Sequence, residues 1–241
     1  MSHTYEFPKA DITVDCVLFG FSEERDQLEV VLIRRGEEPF QGCWALPGGF
    51  IEFGKGETAL EAARREMEEE TGVRVDYLEQ LKTFDDPNRD PRGRTFSVAH
   101  FALVRAKDHS TQHGSDAMEA RWVSVPEAQA IPDEEIAFDH KHILQYAIER
   151  LQNKVRYAPV GLELLPKEFT LGQLQRLYEA ILLRKLDRGN FRKRIRKINK
   201  DRAIFKEVGS TPSRRGPEST LYRFNKLAYD RAVREGFNFE I

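Results

Sequence analysis

The sequence predicts an α/β domain followed by a small basic α+β domain. Three observations carry that expectation. Residues 1–154 alternate strand-like and helix-like patterns, residues 155–241 run helix, turn, helix, hairpin, and the charge changes sign between the two. Residues 1–154 hold 18 Lys and Arg against 30 Asp and Glu, a net of −12. Residues 155–241 hold 20 against 10, a net of +10, and the two halves give the −2 of the whole chain. Such asymmetry points to a basic module that meets a polyanion, joined to an acidic one that does not. A solvated basic face produces the same numbers, so the motifs must decide.

The 241 residues are enough for two domains, and 40% apolar with 32% charged residues allows a core in each. No apolar stretch reaches the length of a membrane span, and the start, MSHTYEFPKADITVD, lacks a basic and apolar signal segment. A cytoplasmic protein without a membrane partner is expected. Cys16 and Cys43 are the two cysteines, with no CxxC and no His/Cys ladder, so reduced, buried thiols are expected.

Ile12–Phe21 and Leu28–Arg34 are rich in Val, Ile, Leu and Phe and flank a polar turn, Ser22–Gln27, as two strands do. Thr95–Val104 and the shorter Ala120–Val123 add two more strands. Helices are expected from about Thr58 to Thr71 and from about Asp139 to Gln152. A linker with Pro159 and Gly161 follows, and the composition turns basic there.

Residues 57–73, ETALEAARREMEEETGV, combine a Thr58/Glu61 capping box, good helix formers and Gly72 as a stop. Leu60, Ala63 and Met67 supply an apolar stripe. Glu66, Glu69 and Glu70 stand at i, i+3 and i+4, so three carboxylates share one face within about a turn. They repel one another, and an oxygen-seeking divalent cation, Mg²⁺ or Mn²⁺, relieves the conflict at a site fit for a pyrophosphate. A bare run of glutamates is more often a solvated helix face.

The wider motif changes that balance. WALPGGF (Trp44–Phe50) precedes the helix, and Glu57, Arg65, Glu66, Met67, Glu69, Glu70, Gly72 and Val73 fall in register with GX5EX7REUXEEXGU, where U is aliphatic. The segment resembles the Nudix signature. The resemblance implies an α/β Nudix sandwich, a mixed sheet between helices, with Glu66, Glu69 and Glu70 as metal ligands and Arg65 orienting Glu66, the two catalytic candidates if the domain is active. One departure is clear: seven residues, not five, separate Gly49 from Glu57. Extra loop length costs little entropy, but a ligand displaced by an ångström costs catalysis heavily, so binding without efficient hydrolysis is expected.

FDDPNRDPRGRTFSVAHFAL (Phe84–Leu103) and AFDHKHIL (Ala137–Leu144) resemble segments of Nudix proteins that handle ADP-ribose. The expected effector-binding residues are Arg35, Gly48, Gly49, Arg89, Arg92 and Arg94. Guanidinium groups on a loop entering a strand suit bidentate phosphate contacts, and local ion pairing at a hairpin tip is the competing reading. His140 and His142 read as structural helix residues.

In the basic half, Thr170 is a good N-cap for LGQLQRLYEAILLRK, with Leu171, Leu174, Leu177, Tyr178, Ile181 and Leu182 on one face. After a turn at Leu186–Gly189 comes NFRKRIRKINK, in which Phe191, Ile195 and Ile198 form a narrow apolar stripe in a cationic surface. AIFKEVG and TLYRF then read as a hairpin around a basic tip, and Lys226–Glu235 as a closing helix. This is the order of a winged helix-turn-helix. The stripe is too narrow and too poor in Trp for a membrane helix, and no aromatic RNA-binding strand is present. Arg188 on the turn, Arg192, Lys193, Arg196 and Lys197 on the recognition helix, and Arg214 and Arg215 at the wing tip are the expected DNA contacts.

A Nudix-like domain (1–154), then ELLPKEFTLGQLQRLYEAILLRKLDRGNFRKRIRK, then a winged hairpin (155–241 in all) resembles the NrtR family of Nudix-related transcriptional regulators, from about Asp11 to Phe237. The resemblance implies a homodimer on a palindromic double-stranded DNA operator, repression of genes of NAD-related metabolism, and ADP-ribose or a related nucleotide as effector. Tyr157–Leu162 is the expected hinge. Two other readings stand beside it: an active ADP-ribose pyrophosphatase with a basic appendage, and a pyrophosphohydrolase acting on RNA.

Overall fold

Strand β1 (Asp11–Ser22) is buried almost continuously from Thr13 to Phe21, which is the mark of a strand covered on both faces. The computed structural model describes residues 9–106, 117–200, 202–211, 218–237 and 239. β1 runs parallel to β6 (Thr95–Val104) and antiparallel to β4 (Gly48–Phe50). The remaining strands are β2 (Gln27–Arg35), β3 (Trp44–Ala45), β5 (Tyr77–Phe84) and β7 (Ala117–Ser124). They complete a seven-stranded mixed sheet of order β3-β2-β1-β6-β5, with β4 on β1 and β7 on β2.

Helix α1 (Ala59–Thr71) covers one face. Its start is fixed by the Thr58/Glu61 capping box and its end by Gly72, whose φ of 72° is left-handed. Ala62, Ala63 and Met67 pack on Val14, Cys16 and Leu18 of β1. Leu60, expected in that stripe, is exposed, because Ala59 makes the first-turn contact instead. Helices α2 (Val125–Ala130) and α3 (His140–Tyr157) follow; Ile143, Leu144, Ala147, Ile148, Leu151 and Val155 form the buried stripe of α3. Among the described residues no helix is long and apolar enough to cross a membrane. Cys16 is buried and Cys43 half-buried, both as free thiols.

The chain divides into two compact units, Met1–Gly20 with Glu29–Ala147, and Phe21–Leu28 with Ile148–Ile241. α3 continues unbroken past 154, and the segment expected as a hinge is packed rather than free. Val160 and Leu164 are buried, and a Cβ on Gly161 would lie 3.3 Å from Cδ1 of Ile181.

The second unit has β8 (Phe169–Thr170), α4 (Leu171–Leu182), α5 (Arg188–Asn199), β9 (Phe205–Thr211), β10 (Ser219–Phe224) and α6 (Lys226–Arg234). The strands form an antiparallel sheet of order β8-β10-β9. Thr170 caps α4 through a capping box with Gln173, and Asp187 caps α5. Phe191, Ile195 and Ile198 are buried, and the rings of Tyr178 and Phe191 lie 5.9 Å apart. Helix, turn, helix and hairpin make this unit a winged helix-turn-helix.

Candidate functional site

In the first unit a cleft of about 400 Å³ opens where β1, β2, β4, α1 and the loop before β6 meet. Arg35, Gly48, Gly49, Arg89 and Arg92 line it together with Arg65, Glu66 and Glu70. Arg94 does not: its guanidinium donates to the Asp85 carbonyl at 2.8 Å and lies over the Phe96 ring. Glu69 also stays outside, its side chain 59% exposed.

The acidic helix is organised by Arg65. Its guanidinium donates to both oxygens of Glu57 (2.8 and 3.0 Å), to Glu66 at 2.7 Å, to Glu69 at 3.0 Å and to the Phe50 carbonyl. That cation offsets the repulsion read from the sequence. Burial pushes the Glu66 carboxyl above the usual carboxylate range despite Arg65. Glu70 accepts from the Gly48 amide at 2.8 Å, and a Cβ on Gly49 would sit 2.3 Å from Glu66 Oε1. Glycine at both positions therefore reflects close approach. The two residues by which the loop exceeds the signature are absorbed in an exposed 3-10 turn, Phe53–Lys55, closed by Gly56 at φ 72°. Glu57 still reaches Arg65 and the Glu52 amide.

Among the described residues no three carboxylate, His or Cys groups lie close enough to hold one metal ion. Glu66 and Glu70 face the cleft and Glu69 does not, so the donor set does not fit a cation held by all three.

Beneath the cleft is a buried polar network. Arg89 donates to both oxygens of Asp139 (3.1 and 2.7 Å) and to Asp15 at 2.9 Å. His140 Nδ1 accepts from the Leu46 amide at 2.9 Å, which leaves the ring proton on Nε2, 3.3 Å from Asp15 Oδ1. Burial alone raises the Asp15 carboxyl, but His140 and Arg89 outweigh it and hold it well below the usual range. Arg89, expected to grip phosphate, lines the cleft with its guanidinium committed to these two aspartates.

Arg35 and Arg92 are differently placed. Both lie over the ring of Phe138, at 5.0 and 5.7 Å, and Arg92 also over Phe50 at 5.3 Å. Arg92 is paired with Asp90, whereas Arg35 donates to the carbonyls of Pro39 and Glu37. Burial and the charge of Arg92 push the Arg35 guanidinium below its ordinary value. Two cations converging over an aromatic ring leave a seat for an anion beside a flat group.

Asp15, Asp139 and Phe138 belong to the site although no motif singles them out. Asp15 had a usable signal, a lone carboxylate inside the apolar run ITVDCVLF, since a buried charge is costly unless paired. Phe138 and Asp139 lie within AFDHKHIL, a resemblance that marks the segment without singling out either residue, and Phe138 has a φ of 53°.

In the second unit α5 presents two cationic flanks. Arg188, Arg192 and Arg196 line a groove of about 380 Å³ with the start of α4 and β10. Lys193, Arg194 and Lys197 line another of about 590 Å³ with Arg184. The Nε of Arg192 is buried without a partner among the described residues. Arg214 and Arg215 lie outside the described residues.

Residues 9–147 match the NUDIX domain family, and residues 161–224 match the NrtR DNA-binding winged helix domain. The ADPR responsive transcriptional repressor NtrR of Acinetobacter baylyi is 34% identical over 97% of this chain and 87% of its own. Shewanella oneidensis NrtR complexed with a 27mer DNA superposes with a TM-score of 0.76 at 29% identity, covering 95% of this chain and 97% of that one. The NUDIX domain of the same Shewanella oneidensis protein, complexed with ADP ribose, gives a TM-score of 0.55 at 34% identity over 60% of this chain and 90% of that one.

Proposed function

The chain belongs to the NrtR family of Nudix-related transcriptional regulators, and from that premise we propose that it is a repressor whose acidic unit binds ADP-ribose and whose basic unit binds operator DNA. One observation carries the ligand half of the reading: Arg35 and Arg92 converge over Phe138 in the cleft. ADP-ribose offers what that arrangement recognises, a pyrophosphate for the guanidinium groups and a flat base for an aromatic face. Arg35, Gly48, Gly49 and Arg92 touch ligand in this reading, while Arg89 fixes the walls through Asp15 and Asp139. Nudix domains commonly use divalent cations. If a Mg²⁺ or Mn²⁺ ion came with the nucleotide, Glu66 and Glu70 would be the cleft carboxylates to hold it, and it would supply positive charge against the pyrophosphate.

For the DNA half, Arg188, Arg192, Lys193, Arg196 and Lys197 supply cations along a helix held by its Phe191, Ile195 and Ile198 stripe. A homodimer reading a palindromic operator completes the proposal, since two-fold symmetry in protein and DNA matches two helices to two half-sites.

One observation favours hydrolysis as a second activity: despite the loop extension, Arg65 still bonds both Glu57 and Glu66. Release of AMP from ADP-ribose in Mg²⁺, with loss in Glu66→Gln, tests it.

The primary reading is tested in two steps. Calorimetry is expected to show ADP-ribose binding more tightly than AMP or ribose 5-phosphate, because only ADP-ribose fills both the phosphate seat and the aromatic face. Selection of bound duplexes from a random-sequence DNA pool is expected to enrich a palindrome. Failure of ADP-ribose to bind, or of any sequence to enrich, contradicts the reading.

A further inference from the structure

The turn joining β1 to β2 carries Glu23, Glu24 and Asp26 and is grouped with the second unit, where it meets the first two turns of α4. Asp26 Oδ1 accepts from Arg176 Nε at 2.8 Å, and Glu23 accepts from the Gln173 side-chain amide at 3.0 Å. Arg176 also lines the groove formed with Arg188, Arg192 and Arg196. A carboxylate from the turn thus engages one of four guanidinium groups around that groove.

The groove has the chemistry of a phosphate seat. It gathers cations from α4 and α5, and it opens at the N-terminal end of α4, where helix polarity favours negative charge. Among the described residues the Nε of Arg192 has no partner, which adds a donor to the groove. The Asp26–Arg176 pair is half-exposed on both sides, at 47% and 43%, and pairs of that kind are weak. A DNA phosphate can displace such a pair at modest cost. Asp26 has a φ of 50°, a left-handed conformation that Asp and Asn tolerate and most residues do not.

We propose that the acidic turn between β1 and β2 competes with a DNA backbone phosphate for Arg176, so that Asp26 is a removable counter-ion of the groove. This rests on the reading of the second unit as a DNA-binding domain. The turn is continuous with strands that carry Thr13, Asp15, Ile33 and Arg35 along the cleft, so the same two strands serve both the cleft and the counter-ion.

The electrostatic part of DNA binding is independent of sequence, so a mixed-sequence duplex of about 30 base pairs is a sufficient probe. Its affinity is measured by fluorescence anisotropy across a salt series for the full chain and for Asp26→Asn, Glu24→Gln, Arg176→Gln and the Asp26→Asn/Arg176→Gln double variant. Asn keeps the left-handed turn while removing the charge. Asp26→Asn is expected to bind about two- to fivefold more tightly and to steepen the log–log salt slope by about 0.9, one further phosphate contact. Arg176→Gln is expected to weaken binding and to abolish the effect of Asp26→Asn. Glu24→Gln makes the same change in net charge and is expected to do less. Equal effects at Asp26 and Glu24, or an Asp26 effect that survives Arg176→Gln, overturn the proposal. If the unaltered chain binds the duplex and Asp26→Asn changes nothing, this proposal alone fails. If the unaltered chain binds no duplex at all, the DNA-binding reading fails with it.

Discussion

Gly49 packs directly against the carboxylate of Glu66, so closely that a Cβ there would lie 2.3 Å from Oε1. At Gly48 the obstacle is different: a Cβ would lie 2.2 Å from the backbone oxygen of Val14, in the central strand. A side chain can move aside and a central strand cannot. Gly48→Ala is therefore expected to cost about 1–3 kcal/mol of stability, in the range of overpacked sites. Gly49→Ala is expected to leave the urea midpoint nearly unchanged while weakening ADP-ribose binding, because it displaces Glu66 in the cleft. Unfolding curves and calorimetry on both variants check the contrast; equal loss of stability contradicts it.

Arg35 and Arg94 separate ligand contacts from local pairing. Arg35 sits in the cleft over Phe138, whereas Arg94 is engaged outside it with Asp85 and Phe96. Removing a charged hydrogen-bond partner costs about 1.5–3 kcal/mol, roughly a ten- to hundredfold loss of affinity. Arg35→Ala is expected to show that loss for ADP-ribose and Arg94→Ala almost none, by calorimetry at fixed salt.

The Asp15 network predicts a dependence on acid. The folded-state carboxyl lies below its ordinary value of 3.8, so the unfolded chain binds the proton more readily. The stability this group adds is fully present above that value and is lost as pH falls through the folded one. Asp15→Asn is expected to flatten stability against pH below about pH 4, measured by urea midpoints. Arg89→Met strips the buried Asp15 and the partly buried Asp139 of their shared cation and is expected to cost about 3–5 kcal/mol. A slope below pH 4 that Asp15→Asn leaves unaltered contradicts this account.

Much of this architecture is legible in the sequence because it rests on local rules. The capping boxes at Thr58 and Thr170, the Gly72 stop and the Phe191/Ile195/Ile198 stripe depend on residues within a few positions of one another. The short strands β3, β4 and β8 do not show, since two or three residues carry no period and exist by pairing with distant partners. The cleft is legible in part for the same reason. The Nudix motif marks Arg65, Glu66 and Glu70, but whether Arg89 grips a ligand or Asp139, 50 positions away, is decided only when the chain is folded. Glu69 and Arg94 share the motif or the loop with cleft residues yet face elsewhere, and spacing alone cannot separate them.

The α5 helix makes a prediction about salt. Arg192 and Arg196 line the groove beside β10, and Lys193 lies on the opposite flank. Each lost phosphate contact lowers the salt slope by about 1, whereas a lost base contact costs about 1–3 kcal/mol and relaxes sequence preference. Neutralising Arg192, Lys193 and Arg196 one at a time is expected to sort them into these two behaviours against a selected duplex. If all three leave affinity and slope unchanged, α5 is not the recognition helix.

A repressor that answers to ADP-ribose must couple its cleft to its basic unit. A ligand shifts an equilibrium only by binding its two states with different affinity, and coupling between sites is typically about 1–3 kcal/mol, or 5- to 150-fold. The direct measurement is the dissociation constant for a selected DNA duplex with and without saturating ADP-ribose, at fixed salt and Mg²⁺, with NAD, AMP and ribose 5-phosphate in parallel. ADP-ribose is expected to weaken DNA binding within that range, and DNA to weaken ADP-ribose binding by the same factor. Identical constants in the presence of bound ADP-ribose would contradict this, leaving two binding domains with no connection between them.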